Sequence, residues 1–331
     1  MRIGIIGTGA IGGTLAALLD RAGHDVEVTA RGDGLTAIAA NGLRFDGAWG
    51  EHVAHVTVGE RLSRTPELAL VATKAQDAAS ALRDNAEYLR GITVVIVQNG
   101  LDALEVAGDI LTESSLVGAL ALYAAQYVEP GHVTVTAEGG TYLGDGVGVP
   151  TDAATSAAAV LASVMPAVAV GNFLGAQWSK LIVNMVNAMP AITGLSVQET
   201  IRDRALGRVV TASMREAVRI GFASGVHYEN VQGLSNGLLR GFGLLPLWAA
   251  RSLPLLMAKR MGAVPNLGST LQSRRRGRMT EIDYLNGAVV RAAAAIGRRA
   301  PVNEAIVNTV HDLERTGTFL ERDKAATLPV R

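Results

Sequence analysis

No cysteine occurs anywhere in the 331 residues. That absence removes disulfides, thiolate metal sites and a cysteine nucleophile from the possible chemistry, and it is compatible with a reducing cytoplasm. An excess of charge is missing as well: 30 basic residues balance 30 acidic ones. A neutral chain lacks the broad electrostatic footprint needed for nucleic acid or an anionic membrane, so neither partner is expected. The six histidines (His24, His52, His55, His132, His227, His311) are scattered, and His52 with His55 is the only close pair, so no metal is expected. No apolar run is long enough to cross a bilayer. The most hydrophobic stretch, 238–261, is interrupted by Arg240, Pro246, Arg251 and Pro254 and reads as buried or interface helices, with a homodimer contact among its possible uses. The first residues run straight into a strand and a glycine turn, without a charged leader and apolar core, so secretion is not expected.

What is present is strongly patterned. The hydrophobic fraction is 49% and the charged fraction 18%, the composition of an ordered protein long enough for two domains. Short apolar runs at 3–6, 26–29, 68–72 and 94–97 alternate with helix-like or loop segments, as buried parallel strands joined by crossovers do. Further strands are expected at 118–126, 132–137 and 141–143, where β-branched residues meet glycine turns. Beyond about residue 171 the rhythm changes to long helical periods, at 177–190, 197–224, 230–262, 280–297 and 303–315. The alanine-rich stretch 153–163 is explained by helix propensity. The expected architecture is α/β: a Rossmann-like parallel-sheet domain over 1–171, then an all-helical domain over 172–331.

Gly7-Thr8-Gly9-Ala10-Ile11-Gly12 follows the first strand directly and opens a helix. Glycine there permits a tight turn, lets backbone approach a pyrophosphate, and aims a helix N-terminus at the anion. Strand, turn and helix in that order read as a dinucleotide site. The second strand ends Val28-Thr29-Ala30-Arg31, with no carboxylate at its tip for a ribose 2′-hydroxyl. Arg31 instead offers its planar donor fork to a 2′-phosphate, which favours NADP(H) over NAD. Lys74 and Gln98-Asn99-Gly100 stand at the carboxyl ends of later strands, where ligands meet parallel sheets, although each alone is equally a polar loop residue.

In the helical half, Lys180, Asn184 and Asn187 fall at i, i+4 and i+7 among Leu181, Ile182, Val183, Met185 and Val186. One polar stripe on an apolar helix lines a substrate site or faces solvent. Further on, Thr280 and Glu281 have an ordinary reading as N-cap and first-turn acid of a helix.

Taken together, the Gly7–Gly12 turn, Lys74, Gln98-Asn99-Gly100, Trp178-Ser179-Lys180-Leu181 with Asn184, Ser269, Thr280-Glu281-Ile282-Asp283 with Asn286-Gly287, and Pro301-Val302-Asn303 resemble the ketopantoate reductase (2-dehydropantoate 2-reductase) family over nearly the whole chain. The resemblance implies NADPH-dependent reduction of a 2-keto acid. It makes Lys180 the general acid, Glu281 its carboxylate neighbour and a cofactor contact, and Asn99 a bridge between cofactor and substrate. Asn184, Asn187 and Ser269 would hold the substrate, Arg31 and Lys74 the phosphate side of the cofactor, and Ala124 would contact the nicotinamide half. Three positions depart from the family pattern. Asn187 follows Asn184 by three residues rather than four, Leu195-Ser196-Val197 lacks an asparagine, and Ser273 replaces an aspartate. They bear on which substrate is used. Two other readings stay open: a related reductase of a bulkier 2-keto acid or ketone, and a dinucleotide sensor without turnover.

Overall fold

A computed structural model of the chain describes residues 1–262 and 264–330. The chain divides into two units, Met1–Phe173 and Leu174–Arg331.

The first unit holds twelve strands: β1 (Arg2–Ile6), β2 (Asp25–Thr29), β3 (Leu43–Gly47), β4 (His52–Ala54), β5 (Thr57–Gly59), β6 (Leu68–Val71), β7 (Thr93–Val97), β8 (Ser115–Ala121), β9 (Ala124–Glu129), β10 (His132–Ala137), β11 (Thr141–Gly144) and β12 (Ala167–Ala169). Helices α1 (Ala10–Arg21), α2 (Gly32–Asn41), α3 (Ala75–Leu89), α4 (Ala103–Gly108) and α5 (Asp152–Ala162) lie between them. Eight strands form one sheet in the order β12-β11-β8-β7-β6-β1-β2-β5. From β8 to β5 every pairing is parallel, and β11 joins β8 antiparallel. Ile3, Ile5, Leu70, Val71, Val94 and Val95 are all buried, so β1, β6 and β7 have two covered faces and need continuous apolar runs rather than alternation. The chain leaves β1 toward β2 and β5, then returns to β6 on the other side. The loops after β1 and β6 therefore leave the sheet side by side, at the switch point where such sheets bind ligands.

The remaining strands make a second sheet, β4-β3-β10-β9. Here the structure corrects the sequence expectation twice. The run 118–126 is two strands in two different sheets, β8 and β9, parted by the buried residues Leu122 and Tyr123. The strands β3, β4 and β5 fall in a segment with no run of buried apolar residues; β3 alternates and the other two are three residues long. Periodicity cannot register elements as short as β4 and β5, and the five residues of β3 carry too few apolar side chains to stand out.

The second unit is helical: α6 (Phe173–Asn184, which begins at the boundary), α7 (Ala188–Thr193), α8 (Val197–Arg202), α9 (Arg204–Ala223), α10 (Asn236–Leu244), α11 (Leu247–Ala250), α12 (Ser252–Arg260), α13 (Gly268–Arg275), α14 (Asn286–Ala295), α15 (Pro301–Thr316) and α16 (Arg322–Ala325). Four expected helices are subdivided, each for an identifiable reason. The 177–190 segment passes through a 3₁₀ turn at Met185–Asn187, because Pro190 has no N–H to give the carbonyl four residues back. The 197–224 segment restarts at Asp203, whose carboxylate caps α9 by accepting from the Ala205 and Leu206 N–H groups at 2.8 and 2.9 Å. Pro246 forces Leu245 into extended backbone and ends α10. Finally, 280–297 is a 3₁₀ turn, Ile282–Tyr284, followed by α14, with Leu285 at φ −104°, ψ −92° between them. Among the described residues no helix is long and apolar enough to cross a membrane.

Candidate active site

At the switch point of the first unit, Gly7 turns the chain out of β1 with φ +95°, a left-handed conformation that favours glycine. A Cβ on Gly7 would also lie 3.0 Å from the Thr73 nitrogen, and one on Gly12 would lie 1.9 Å from the Gly7 carbonyl oxygen. These two glycines are required by the protein's own packing. Gly9 differs, because a Cβ placed on it would meet no protein atom within 4 Å. The space in front of it is open, it is the N-cap of α1, and neither a side-chain cap nor a first-turn acid competes for that helix end. This cradle fits the pyrophosphate of a dinucleotide. The loop is fixed from behind: the Gly7 N–H donates to Thr29 Oγ1 at 3.0 Å and Thr8 Oγ1 donates to the Thr29 carbonyl at 3.3 Å. Gln98 Nε2 donates to the Thr73 carbonyl at 3.0 Å, tying the loop after β7 to the loop after β6. Thr29 and Thr73 escaped the sequence reading, since a threonine at a strand end has no distinguishing spacing.

Lys74, half-buried, is the N-cap of α3, and Asn99, also half-buried, follows β7. Ala124 opens β9. Arg31 is the N-cap of α2 and is exposed. Its guanidinium donates to Asp84 Oδ2 on α3 at 2.8 Å. Asp33 lies just beyond, in the first turn of α2, while the tip of β2 itself carries no carboxylate. Asp84 was legible as a residue, but its contact with Arg31 depends on how α3 packs.

In the second unit, Trp178, Leu181 and Ile182 are buried, and Ser179 Oγ donates to the Glu229 carbonyl at 2.6 Å. Trp178 also stands edge-on to Tyr228, with ring centres 6.5 Å apart. Lys180 is held among these anchors. The residue is half-buried, yet enough protein surrounds its ammonium that burial lowers its pKa to about 8. Asn184 lies one turn further on and is buried.

The 3₁₀ turn resolves the spacing of Asn187. At three residues per turn, positions i and i+3 eclipse, so Asn187 returns to the side of Asn184, and its Nδ2 donates to Asn184 Oδ1 at 3.4 Å. The Asn187 side chain packs on Gly268, the residue before Ser269, where a Cβ would come within 2.7 Å of Oδ1. Lys180, Asn184, Asn187 and the start of α13 with the exposed Ser269 are thus brought into one region. Glu281, half-buried, is the N-cap of the 3₁₀ turn rather than a first-turn residue of α14, and Thr280 Oγ1 accepts the Ile282 N–H at 3.3 Å. Among the described residues no group of His, Cys, Asp and Glu is placed to hold a metal.

A glycine loop at the switch point of a parallel sheet and a helical unit carrying a desolvated lysine are the parts of a dinucleotide-dependent oxidoreductase. More narrowly, the chain belongs to the ketopantoate reductase family. The model described as "Ketopantoate reductase PanE/ApbA" matches residues 3–148, and "Ketopantoate reductase PanE/ApbA C terminal" matches 172–314. The 2-dehydropantoate 2-reductase of Archaeoglobus fulgidus is 28% identical over 315 residues, spanning 95% of this chain and 98% of the relative. The crystal structure of a PanE/ApbA family ketopantoate reductase from Ralstonia eutropha JMP134 is 28% identical, covers 96% of this chain and 99% of its own, and has a TM-score of 0.80. D-mandelate dehydrogenase, solved with NADH and anilino(oxo)acetate, shares the fold at a TM-score of 0.81 and 19% identity, over 96% of this chain and 99% of its own.

Proposed function

We propose that this protein reduces a 2-keto acid to the 2-hydroxy acid with NADPH, and that 2-dehydropantoate is the acid. The observation that carries this reading is Lys180: a lysine whose pKa burial lowers to about 8, one helical turn before Asn184. The Gly7–Gly12 loop, Arg31, Lys74, Asn99, Ala124 and Glu281 would hold the cofactor. When bound, the reduced nicotinamide supplies a hydride to the keto carbon. Lys180 keeps a proton on Nζ for the carbonyl oxygen and stabilises the charge that develops there. Asn184, Asn187, Ser269 and Asn99 orient the acid with neutral donors and acceptors, and Glu281 favours the charged form of the lysine. The reading includes a cytoplasmic location, which a supply of NADPH suits.

The test is kcat/KM for 2-dehydropantoate beside larger 2-keto acids. The highest value is expected with 2-dehydropantoate. A bulkier acid in first place would overturn the substrate, and tight NADPH binding without turnover on any acid would make the protein a sensor.

The choice of NADPH over NADH rests on Arg31. Arg31→Ala should raise KM for NADPH by about tenfold or more, the worth of a charge-assisted contact, and leave KM for NADH nearly unchanged. The opposite change tests the same idea. Asp84 holds Arg31 through an exposed ion pair, worth at most about 1 kcal/mol, so Asp84→Asn should lower KM for NADPH by up to about fivefold. Equal effects on both cofactors in either variant would show that Arg31 does not read the phosphate.

The reading extends to a homodimer. Leu244, Trp248, Leu255 and Leu256 on three consecutive helices, with Leu245 at the end of the first, are exposed, Trp248 at 82%, and a second copy covering them would bury the kind of apolar group that monomers seldom display. Sedimentation should find dimers that Trp248→Glu converts to monomers; a monomeric parent chain would remove this part.

A further inference from the structure

A buried cluster of polar side chains runs through the second unit, none of them given a part in the reaction above. Ser213 on α9, Asn286 at the start of α14 and Asn303 in the first turn of α15 are all fully buried. Asn286 Nδ2 donates to Asn303 Oδ1 at 2.8 Å and to Ser213 Oγ at 3.2 Å, and Ser213 Oγ donates to the same Asn303 oxygen at 2.8 Å. Asn303 Nδ2 in turn donates to Glu216 Oε2 at 2.7 Å. Glu216 also accepts the Val302 and Asn303 backbone N–H groups at 3.1 and 2.8 Å, serving as the cap that Ala300 cannot provide for α15. The cluster therefore fastens three helices to one another.

Its two remaining ends are the informative ones. Ser213 Oγ lies 3.7 Å from Met185 Sδ, and Met185 is the residue directly after Asn184 in the 3₁₀ turn of the lysine helix. Asn286 directly follows the turn that begins at Glu281: the Tyr284 and Leu285 N–H groups both donate to the Glu281 carbonyl, at 3.0 and 3.1 Å, and Leu285 then takes an unusual backbone conformation before α14 starts at Asn286. One polar cluster thus touches both elements that carry the proposed acid-base residues. Stability alone is a poor account of it. Asn286 Oδ1 is buried with no hydrogen-bond partner, a desolvation cost that an apolar side chain of similar size would avoid.

We propose that Asn286, held by Ser213, Asn303 and Glu216, is a positioning residue that fixes the Glu281 turn relative to the end of the lysine helix. This rests on the roles given to Lys180 and Glu281 above. Asn286 touches no reacting atom in this account; it acts through Glu281.

The experiment is a double-mutant cycle with Asn286→Leu and Glu281→Gln, read by single-turnover NADPH oxidation with 2-dehydropantoate. Asn286→Leu should lower kcat on the order of 10–100-fold, the cost of a small misplacement, with KM and Kd for NADPH within about twofold of wild type. In the Glu281→Gln background the same change should add less than about threefold, because the residue it positions is already disabled. Full additivity, or a loss of thermal stability with kcat intact, would overturn the proposal. If Glu281→Gln itself leaves kcat unchanged, the role of Glu281 fails rather than that of Asn286. Hydrogen exchange without substrate then decides: backbone amides at 282–285 should exchange at least about tenfold faster in Asn286→Leu than in wild type, and unchanged exchange there also overturns the proposal. Should Asn286→Leu not fold, Ser213→Ala, which keeps the Asn286 to Asn303 bond, should show the same non-additive pattern at smaller size.

Discussion

Replacing Lys180 by alanine is expected to lower kcat by about 10²–10⁴-fold while leaving the Kd for NADPH nearly intact, because a positioned general acid has about that worth and the cofactor loop lies elsewhere in the chain. The pH dependence follows from the environment of the amine. Burial lowers its pKa to about 8, and only the protonated form can donate, so wild-type turnover should fall as pH rises through about 8. In the role proposed for Glu281 its carboxylate favours the charged form, so Glu281→Gln should move the basic limb to lower pH. Stability runs the other way. An unfolded lysine keeps its proton up to about 10.5, whereas the folded one releases it from about 8, so the folded state gains stability as pH rises between those values. At pH 7 the buried charge is a cost, of the order of 1–3 kcal/mol once partial exposure is allowed for. Lys180→Met should therefore raise Tm at pH 7 even as it removes activity. Wild-type single-turnover rates in Lys180→Ala, with an unchanged pH profile, would mean that the lysine is structural.

Different parts of the molecule were legible to different degrees, for physical reasons. The parallel strands β1, β6 and β7 announce themselves because burial on both faces demands nearly continuous apolar runs, whereas β2 carries the buried Glu27 between Val26 and Val28. The strands β3 to β5 do not announce themselves: β4 and β5 are three residues long, and β3 alternates between buried and exposed residues instead of forming an apolar run. Helical character was plain in the second unit, but its breaks were not, and the breaks shape the proposed substrate region. Asn187 illustrates this. On an unbroken α-helix Asn187 would share the stripe but stand turned aside from Asn184, whereas the 3₁₀ turn that precedes Pro190 brings its side chain into line with Asn184. Asp84 shows another limit: nothing in its local sequence tells that α3 carries it to Arg31. The Asn286 cluster draws on α9, α14 and α15, and its members are up to 90 residues apart. A pattern of that kind exists only after the helices have packed.

The glycines of the first loop provide the sharpest test of the cofactor site, because the structure gives them opposite reasons to be glycine. Gly12→Ala should destabilise the first unit. Its Cβ would lie 1.9 Å from the Gly7 carbonyl oxygen, and backbone on both sides of the contact leaves no flexible side chain to give way. A fall in Tm of several degrees or failure to express is expected, in the range of a core overpacking of about 1–3 kcal/mol or more. Gly9→Val should leave folding almost untouched. Gly9 has φ −71°, which any residue adopts, and its Cβ position is empty to 4 Å. If that space belongs to the pyrophosphate, the valine side chain stands in it, blocking the approach of the anion to the N–H groups of α1. NADPH affinity should then drop by about 100-fold or more, the scale of losing two or more charge-assisted hydrogen bonds. Intrinsic NADPH fluorescence titration and thermal unfolding of the two variants, run side by side, separate the two causes. A Gly9→Val protein that folds like wild type and binds NADPH equally well would show that the loop is a structural turn and that the dinucleotide sits elsewhere.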